Sequence, residues 1–406
     1  MTKQKGESKQ IYMVKRVKTR IIDITGGFKA LITEQKLIYM CVLSIFLPFF
    51  LVILPMVAYV FYILSKKKFV KQMINIKGSY FLFAFLCIAI ISPVLYKNYV
   101  GILGGVFLFF CMLLALRVRC VLNKKMFNDF IVIISALSVV SFVVALIQRL
   151  IYGAQIDEAH VFRAFSTFYN TNYYAFIIDI VILACAYKIM NENKNRIFYF
   201  SVILINFTGL ILSLNRSSYA AIFLGVITMA IFTKKKKALF KTLGILLVFA
   251  ACVYFMPDII PRRSSLAINA DTRIKIFETA IKGIKLTPFF GRGLWGYRQV
   301  VGIVSGEKAL TAHSIFLDPV LSFGFVGVTC LLAYFMYQMK ALGENAKKYF
   351  LNNEKAFVIA LIVTTLIHNT LDLPIVGIQT VILPMILLGI CGTPAVSNSR
   401  IGQSYK

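Results

Sequence analysis

Three of the 406 residues are histidine, His160, His313 and His368. Imidazole exchanges protons near neutral pH, which makes each a candidate acid or base. His313 stands in Ala312–His313–Ser314–Ile315–Phe316–Leu317, just after a basic stretch. That stretch carries Arg262, Arg263, Arg273, Lys275, Lys282, Lys285, Arg292, Arg298 and Lys308 against Asp258, Asp271, Glu278 and Glu307. It reads either as a solvated basic surface or as an anion site, because arginine presents a planar fork of donors that matches phosphate oxygens. Arg216 lies in Ser213–Leu214–Asn215–Arg216–Ser217–Ser218–Tyr219, between two apolar runs. It is either a snorkelling helix-end residue or, as a charge close to hydrocarbon, a functional one. Arg163 precedes Asn170 and Asn172, and His368–Asn369–Thr370–Leu371–Asp372 brings a carboxylate close to a histidine. Such a set could clamp a phosphorylated substrate and move one proton. The eight cysteines show no close pairing, and no CxxC, histidine cluster or acidic cluster suggests a metal site. Metal-independent chemistry without a cofactor is expected.

The elements that position these residues follow from hydropathy. Apolar residues make up 59% of the chain and charged ones 15%, with a mean hydropathy of +0.80. The apolar runs are roughly 37–64, 79–96, 99–116, 130–147, 173–189, 197–214, 217–233, 239–256, 315–337, 356–370 and 374–391. Most reach the ~17 residues that cross a bilayer as helix. Lipid offers backbone groups no partner, and continuous rather than alternating runs select helices over a barrel. An all-α polytopic bundle is expected.

The net charge of +29 sits in short Lys/Arg clusters between the runs. That is the positive-inside pattern rather than a nucleic-acid surface. Residues 1–36 read as a basic cytoplasmic arm without a cleaved leader, and 393–406 as a cytoplasmic tail. Both the arm and Lys66–Lys68 can face inward only if 37–64 crosses twice, and Pro48 and Pro55 favour a break there. The expectation is about twelve spans within a single membrane domain, 37–392. Both termini are then cytoplasmic, and one large external loop, 257–313, joins the ninth and tenth spans. All three histidines, Arg163, Arg216 and the basic stretch then fall on the outer side.

Taken together, these segments resemble the O-antigen polymerase and ligase family of bacterial membrane glycosyltransferases, over about 160–390. Arg163 to Asn172 resembles R-x-x-G-x-F-x-N-x-N, with Ser166 for Gly. Asn215–Arg216–Ser217–Ser218 resembles an S-R-[SG] turn, with Asn for Ser. Asp271–Thr272–Arg273 followed by Phe277 resembles S-R-x-x-x-W, with Phe for Trp. Pro288 to Gly293 resembles P-x-x-G-x-G. His313, Leu317, Gly324 and Gly327 resemble H-N-x-x-L-x(6)-G-x-x-G, with Ser314 for Asn. His368 to Asp372 resembles H-[NS]-x-x-[DE].

The resemblance implies a transferase at the outer face of the bacterial cytoplasmic membrane. Its donor is an oligosaccharide on polyprenyl diphosphate, and its acceptor is a glycan. Arg216 and Arg273 are then the cationic clamp and His313 the base that takes the acceptor proton. Arg163, Asn172, Arg292, His368 and Asp372 are substrate-binding candidates, with Asp372 an alternative base. Polymerisation of repeat units for capsule, exopolysaccharide or O-antigen is the leading expectation. Ligation of the glycan to another acceptor is the alternative. Other polysaccharide-assembly membrane proteins are candidate partners, and nucleic acid is not one. A flippase or transporter would concentrate polar groups at the midplane. Asp179 is the clear charge there, so that reading is disfavoured.

Overall fold

The computed structural model describes residues 31–153, 162–192, 194–255 and 266–392. The described residues are helical throughout, without a strand. In chain order they form α1 (Thr33–Ser44), α2 (Phe49–Leu64), α3 (Lys67–Ile74), α4 (Ser79–Leu95) and α5 (Tyr99–Val121). There follow α6 (Lys124–Tyr152), α7 (Thr171–Asn191), α8 (Arg196–Ser213), α9 (Ser217–Phe232) and α10 (Lys236–Phe255). The last are α11 (Leu266–Leu286), α12 (Tyr297–Val304), α13 (Leu317–Lys348), α14 (Asn352–His368) and α15 (Ile378–Leu388).

Five of these, α5, α6, α7, α8 and α13, are long and apolar enough to cross a membrane. The bent pair α2 and α3 makes a sixth if taken as one span, and α4, α9 and α15 are shorter apolar helices. The last apolar run is the most divided. Pro374 opens a 3-10 turn (Pro374–Val376), and Gly377 precedes the 11-residue α15.

The run 37–64 is broken at 45–48, with Pro48 at the start of α2, and α1 and α2 pack on each other. Pro55 sits inside α2. α3 then turns through 92° from α2, exposing Lys67, Lys68 and Lys71 and burying Met73. The last residues assigned to the arm belong to the bundle: α1 starts at Thr33, and Glu34 is buried. Arg117 donates to both oxygens of Glu34 (Nη2–Oε2 2.8 Å) and to Gln72 at 2.6 Å. Its guanidinium also lies 3.7 Å from the Phe69 ring. A buried charge is tolerated when paired in this way.

α7 lies at the centre of the bundle, buried on nearly every side, with α8, α9 and α14 against it. α9 and α14 approach so closely that a side chain at Gly225 would overlap the Thr364 hydroxyl. Outside this core, the segment expected as an external loop holds α11 and α12. They bury Ile276, Ala280, Tyr297 and Val300 against Ala312 and Leu321. His313 is thus carried on a folded cap.

Candidate functional site

The cap is fixed to the bundle through glycines. Gly324 interrupts α13 at φ 65°, ψ 179°, and any side chain there would run into the Phe289 carbonyl. The freed backbone is paired by the loop 288–293. Phe325 N donates to Pro288 O (2.8 Å) and Val326 N to Phe289 O (3.1 Å). Arg292 N donates to Leu321 O (3.1 Å) and Gly293 N to Ser322 O (2.7 Å). Non-helical backbone at membrane depth persists only where its polar groups are satisfied in this way. Two of the glycine motifs therefore dock a loop into a helix break. Arg292, between those glycines, stacks over the Tyr96 ring at 4.7 Å and does not join the cluster described next.

That cluster centres on Asp372, in the turn after α14. His313 Nδ1 lies 3.0 Å from Asp372 Oδ1, which also accepts from Leu373 N at 3.0 Å. The other carboxylate oxygen accepts from Asn172 Nδ2. An ionised carboxylate can only accept, so Nδ1 is the donor, and in the neutral ring that leaves the lone pair on Nε2. Burial pushes the Asp372 carboxyl up, but the His313 hydrogen bond, the His313 charge and Arg273 outweigh it, holding the group below the usual 3.8.

Two of the sequence candidates therefore act as one unit, with the carboxylate orienting the imidazole. The His313 side chain keeps one third of its surface exposed, against 14% for Asp372. Its backbone is left-handed at φ 50°, a costly conformation in a non-glycine residue. It is held by Ala312 N donating to Asp318 Oδ1 (2.7 Å) and Ile315 N to Asn369 O (2.9 Å). Ser314, in place of the resemblance's Asn, accepts from Phe316 N at 3.3 Å as α13 begins.

Asn172 is the second hub, at the start of α7. Its Oδ1 accepts from Arg163 Nη2 (2.9 Å) and from Asn215 Nδ2 (2.8 Å), while Arg163 Nε donates to Ser213 O (3.1 Å). Asn215 also caps α9, accepting from Ser218 N at 3.2 Å and Ser217 Oγ at 2.7 Å. The turn that carries half-buried Arg216 is thereby fixed to the same hub. Ser166, where the resemblance has Gly, has φ 54°. Its strain is offset by a 2.8 Å bond from its N–H to Gln148 and a 2.7 Å bond from its hydroxyl to Ser141 O. Arg273, on α11, is half-buried and close enough to act on the Asp372 charge. Its Nη1 makes no hydrogen bond among the described residues.

His368 sits apart from this partly buried network. It is wholly buried, with Nδ1 2.5 Å from Asp179 Oδ2 on α7. Asp179 and Ser218 were not singled out as site residues from the sequence. The signal that could have found them is spacing: Asp179 lies two turns below Asn172 on one helix face. His160, Arg262 and Arg263 lie outside the described residues.

Beside the dyad, a cavity of about 440 Å³ is lined almost wholly by apolar side chains of α4, α5, α13, α14 and α15. Its lining includes Ile315, Asp318 and Leu373, the last adjacent to Asp372.

Membrane-capable helices around a polar network, with a buried central helix, define a multi-pass helical membrane protein. Residues 201–332 match the family described as O-antigen ligase, and this segment belongs to the O-antigen polymerase and ligase family. The match contains Arg216, Arg273, Arg292 and His313, whereas Arg163, Asn172, His368 and Asp372 come from outside it. A comparison with curated proteins returned no match.

Proposed function

We propose that the protein is a glycosyltransferase that polymerises polyprenyl-diphosphate-linked oligosaccharide units at the outer face of the bacterial cytoplasmic membrane. The observation that carries this reading is the His313–Asp372 pair, at 3.0 Å, beside Arg273 and at the rim of an apolar cavity. A lipid-linked sugar needs three things of a site: an apolar path, cations for the diphosphate and a base for the incoming hydroxyl.

In the reaction, an acceptor sugar hydroxyl attacks the anomeric carbon of the donor. The bond from that carbon to the diphosphate oxygen breaks, and its electron pair leaves with the diphosphate. Arg273 and Arg216 stabilise the charge that grows on this leaving group, which is where fixed cations contribute most. His313 Nε2 takes the hydroxyl proton. The resulting imidazolium is stabilised by Asp372, whose two oxygens are fixed by Leu373 N and Asn172. Arg163 positions Asn172 and touches substrate only if the glycan reaches that side of the hub. The prenyl chain lies along the apolar cavity.

Transfer of the completed glycan to a different acceptor is the second reading, favoured by the ligase description of the matched segment. Deleting the gene in its host and sizing the lipid-linked and surface glycans distinguishes the two. Loss of polymerisation leaves single repeat units on the lipid. Loss of ligation leaves long polymer on the lipid and none on the acceptor. Unchanged glycans of both kinds would refute both readings.

A further inference from the structure

Three helices meet at the site, and each contributes two polar residues at helical spacing. α7 supplies Asn172 and, two turns deeper on the same face, Asp179. The turn into α9 and its first residues supply Asn215 and Ser218. The end of α14 and the turn after it supply Asp372 and His368. The upper residues bond to one another through Asn172, which links Asn215 (2.8 Å) and Asp372.

The lower residues repeat the arrangement around Asp179. His368 Nδ1 lies 2.5 Å from its Oδ2, and the Ser218 hydroxyl, which donates to Asn215 Oδ1 at 3.3 Å, is close enough to act on the same carboxylate. The two levels are joined covalently by the helices and by Ser218, whose backbone N–H donates to Asn215 Oδ1 at 3.2 Å. All three lower residues are completely buried. His368 Nε2 and Asp179 Oδ1 have no hydrogen-bond partner among the described residues. The His368 ring also packs 5.3 Å from Phe176.

Two ionisable side chains this deep are expensive to keep, and an apolar pair of the same volume would often stabilise the bundle as well or better. A polar lower level therefore serves something other than stability. What it governs is the relative height and rotation of α7, α9 and the end of α14. Those are the coordinates that place Asn172, the Arg216 turn and Asp372.

We infer that Asp179, His368 and Ser218 are positioning residues, a buried tier that sets the alignment of Asp372 and Asn172 beneath His313. This rests on the proposed reading of His313 and Asp372, and it moves His368 from substrate contact to alignment. A displacement of about 1 Å in a reacting group can cost on the order of 10²-fold in rate.

The test uses full-length protein in nanodiscs and the lipid-linked oligosaccharide that accumulates in gene-deletion cells. His368→Gln and Asp179→Asn are expected to lower kcat on the order of 10²-fold. KM and the affinity for farnesyl diphosphate should stay near wild type, both measured well below the melting temperature, which falls because a buried pair is broken. Asp179→Asn combined with Asp372→Asn is expected to lose little beyond Asp372→Asn alone, because both act on one alignment. Losses that multiply in the double variant, or a fall confined to KM, would overturn the inference. Should either variant fail to insert, Ser218→Ala decides, since it deletes one oxygen: wild-type kcat would overturn the tier, and a partial fall in kcat alone supports it. A failure of the proposed function shows elsewhere, as wild-type turnover by His313→Ala.

Discussion

Replacing Asp372 with Asn changes almost no volume but forces a hydrogen-bond conflict that can be counted. Three donors converge on this carboxylate: His313 Nδ1, Leu373 N and Asn172 Nδ2. An amide offers only one acceptor oxygen. If that oxygen faces His313 and Leu373, the new NH₂ opposes the NH₂ of Asn172. If it faces Asn172, the NH₂ drives the His313 proton to Nε2 and removes the base. Each misplaced buried donor costs about 1–3 kcal/mol. A positioned base contributes about 10²- to 10⁴-fold, or roughly 3–5 kcal/mol of barrier. Asp372→Asn should therefore lower kcat by about 10²- to 10⁴-fold. Its affinity for farnesyl diphosphate should change little, because Arg216 and Arg273 remain. Turnover by purified protein in nanodiscs, with lipid-linked oligosaccharide from gene-deletion cells, is the measurement. A kcat within a few-fold of wild type at normal protein level would refute the dyad.

The same carboxylate sets a pH signature for stability. Its folded value lies below 3.8, so the unfolded chain takes up the proton first as pH falls. The ionised form contributes fully above 3.8 and loses its contribution as pH drops through the lower folded value. The melting-temperature gap between wild type and Asp372→Asn should be constant from neutral pH to about 4 and close below it. A gap that is unchanged down to pH 2 would contradict the assignment.

Arg216→Lys keeps the charge and loses the bidentate fork, so polymer yield should fall several-fold at equal expression; wild-type polymer from both Arg216→Ala and Arg273→Ala would refute the clamp. Gly324→Ala, at φ 65° and against Phe289, should destabilise the protein by well over ~1 kcal/mol, read as a lower melting temperature. Single cysteines at Lys67, Lys235 and Glu344 in a cysteine-free background should resist an impermeant thiol reagent in intact cells. One at exposed Ser305 should react, and labelling at Lys67 would refute the twelve-span topology.

The sequence by itself determined the class of fold and proposed most of the residues that meet around Asp372 and Asn172. Apolar runs dictate helices because lipid leaves backbone groups no other partner, and that reasoning needs no tertiary information. It placed a break around Pro48 and Pro55, of which only Pro48 stands at one while Pro55 lies inside α2; it put Arg163, Arg216, Arg273 and His313 together as candidates, and named Asp372. It could not say that Asp372 and His313 share a hydrogen bond, because they are 59 positions apart and only the packing of the segment before α13 on the end of α14, where Ile315 N donates to Asn369 O, brings them together. It read the segment after α10 as a loop, because the short runs in α11 and α12 bury themselves against α13 rather than in lipid. Asp179 registered as an isolated midplane charge and His368 as an outer histidine. Their pairing is a property of how α7 and α14 pack. Hydropathy is local to each helix, whereas a hydrogen bond between helices depends on their relative height and rotation, and only the folded bundle sets those.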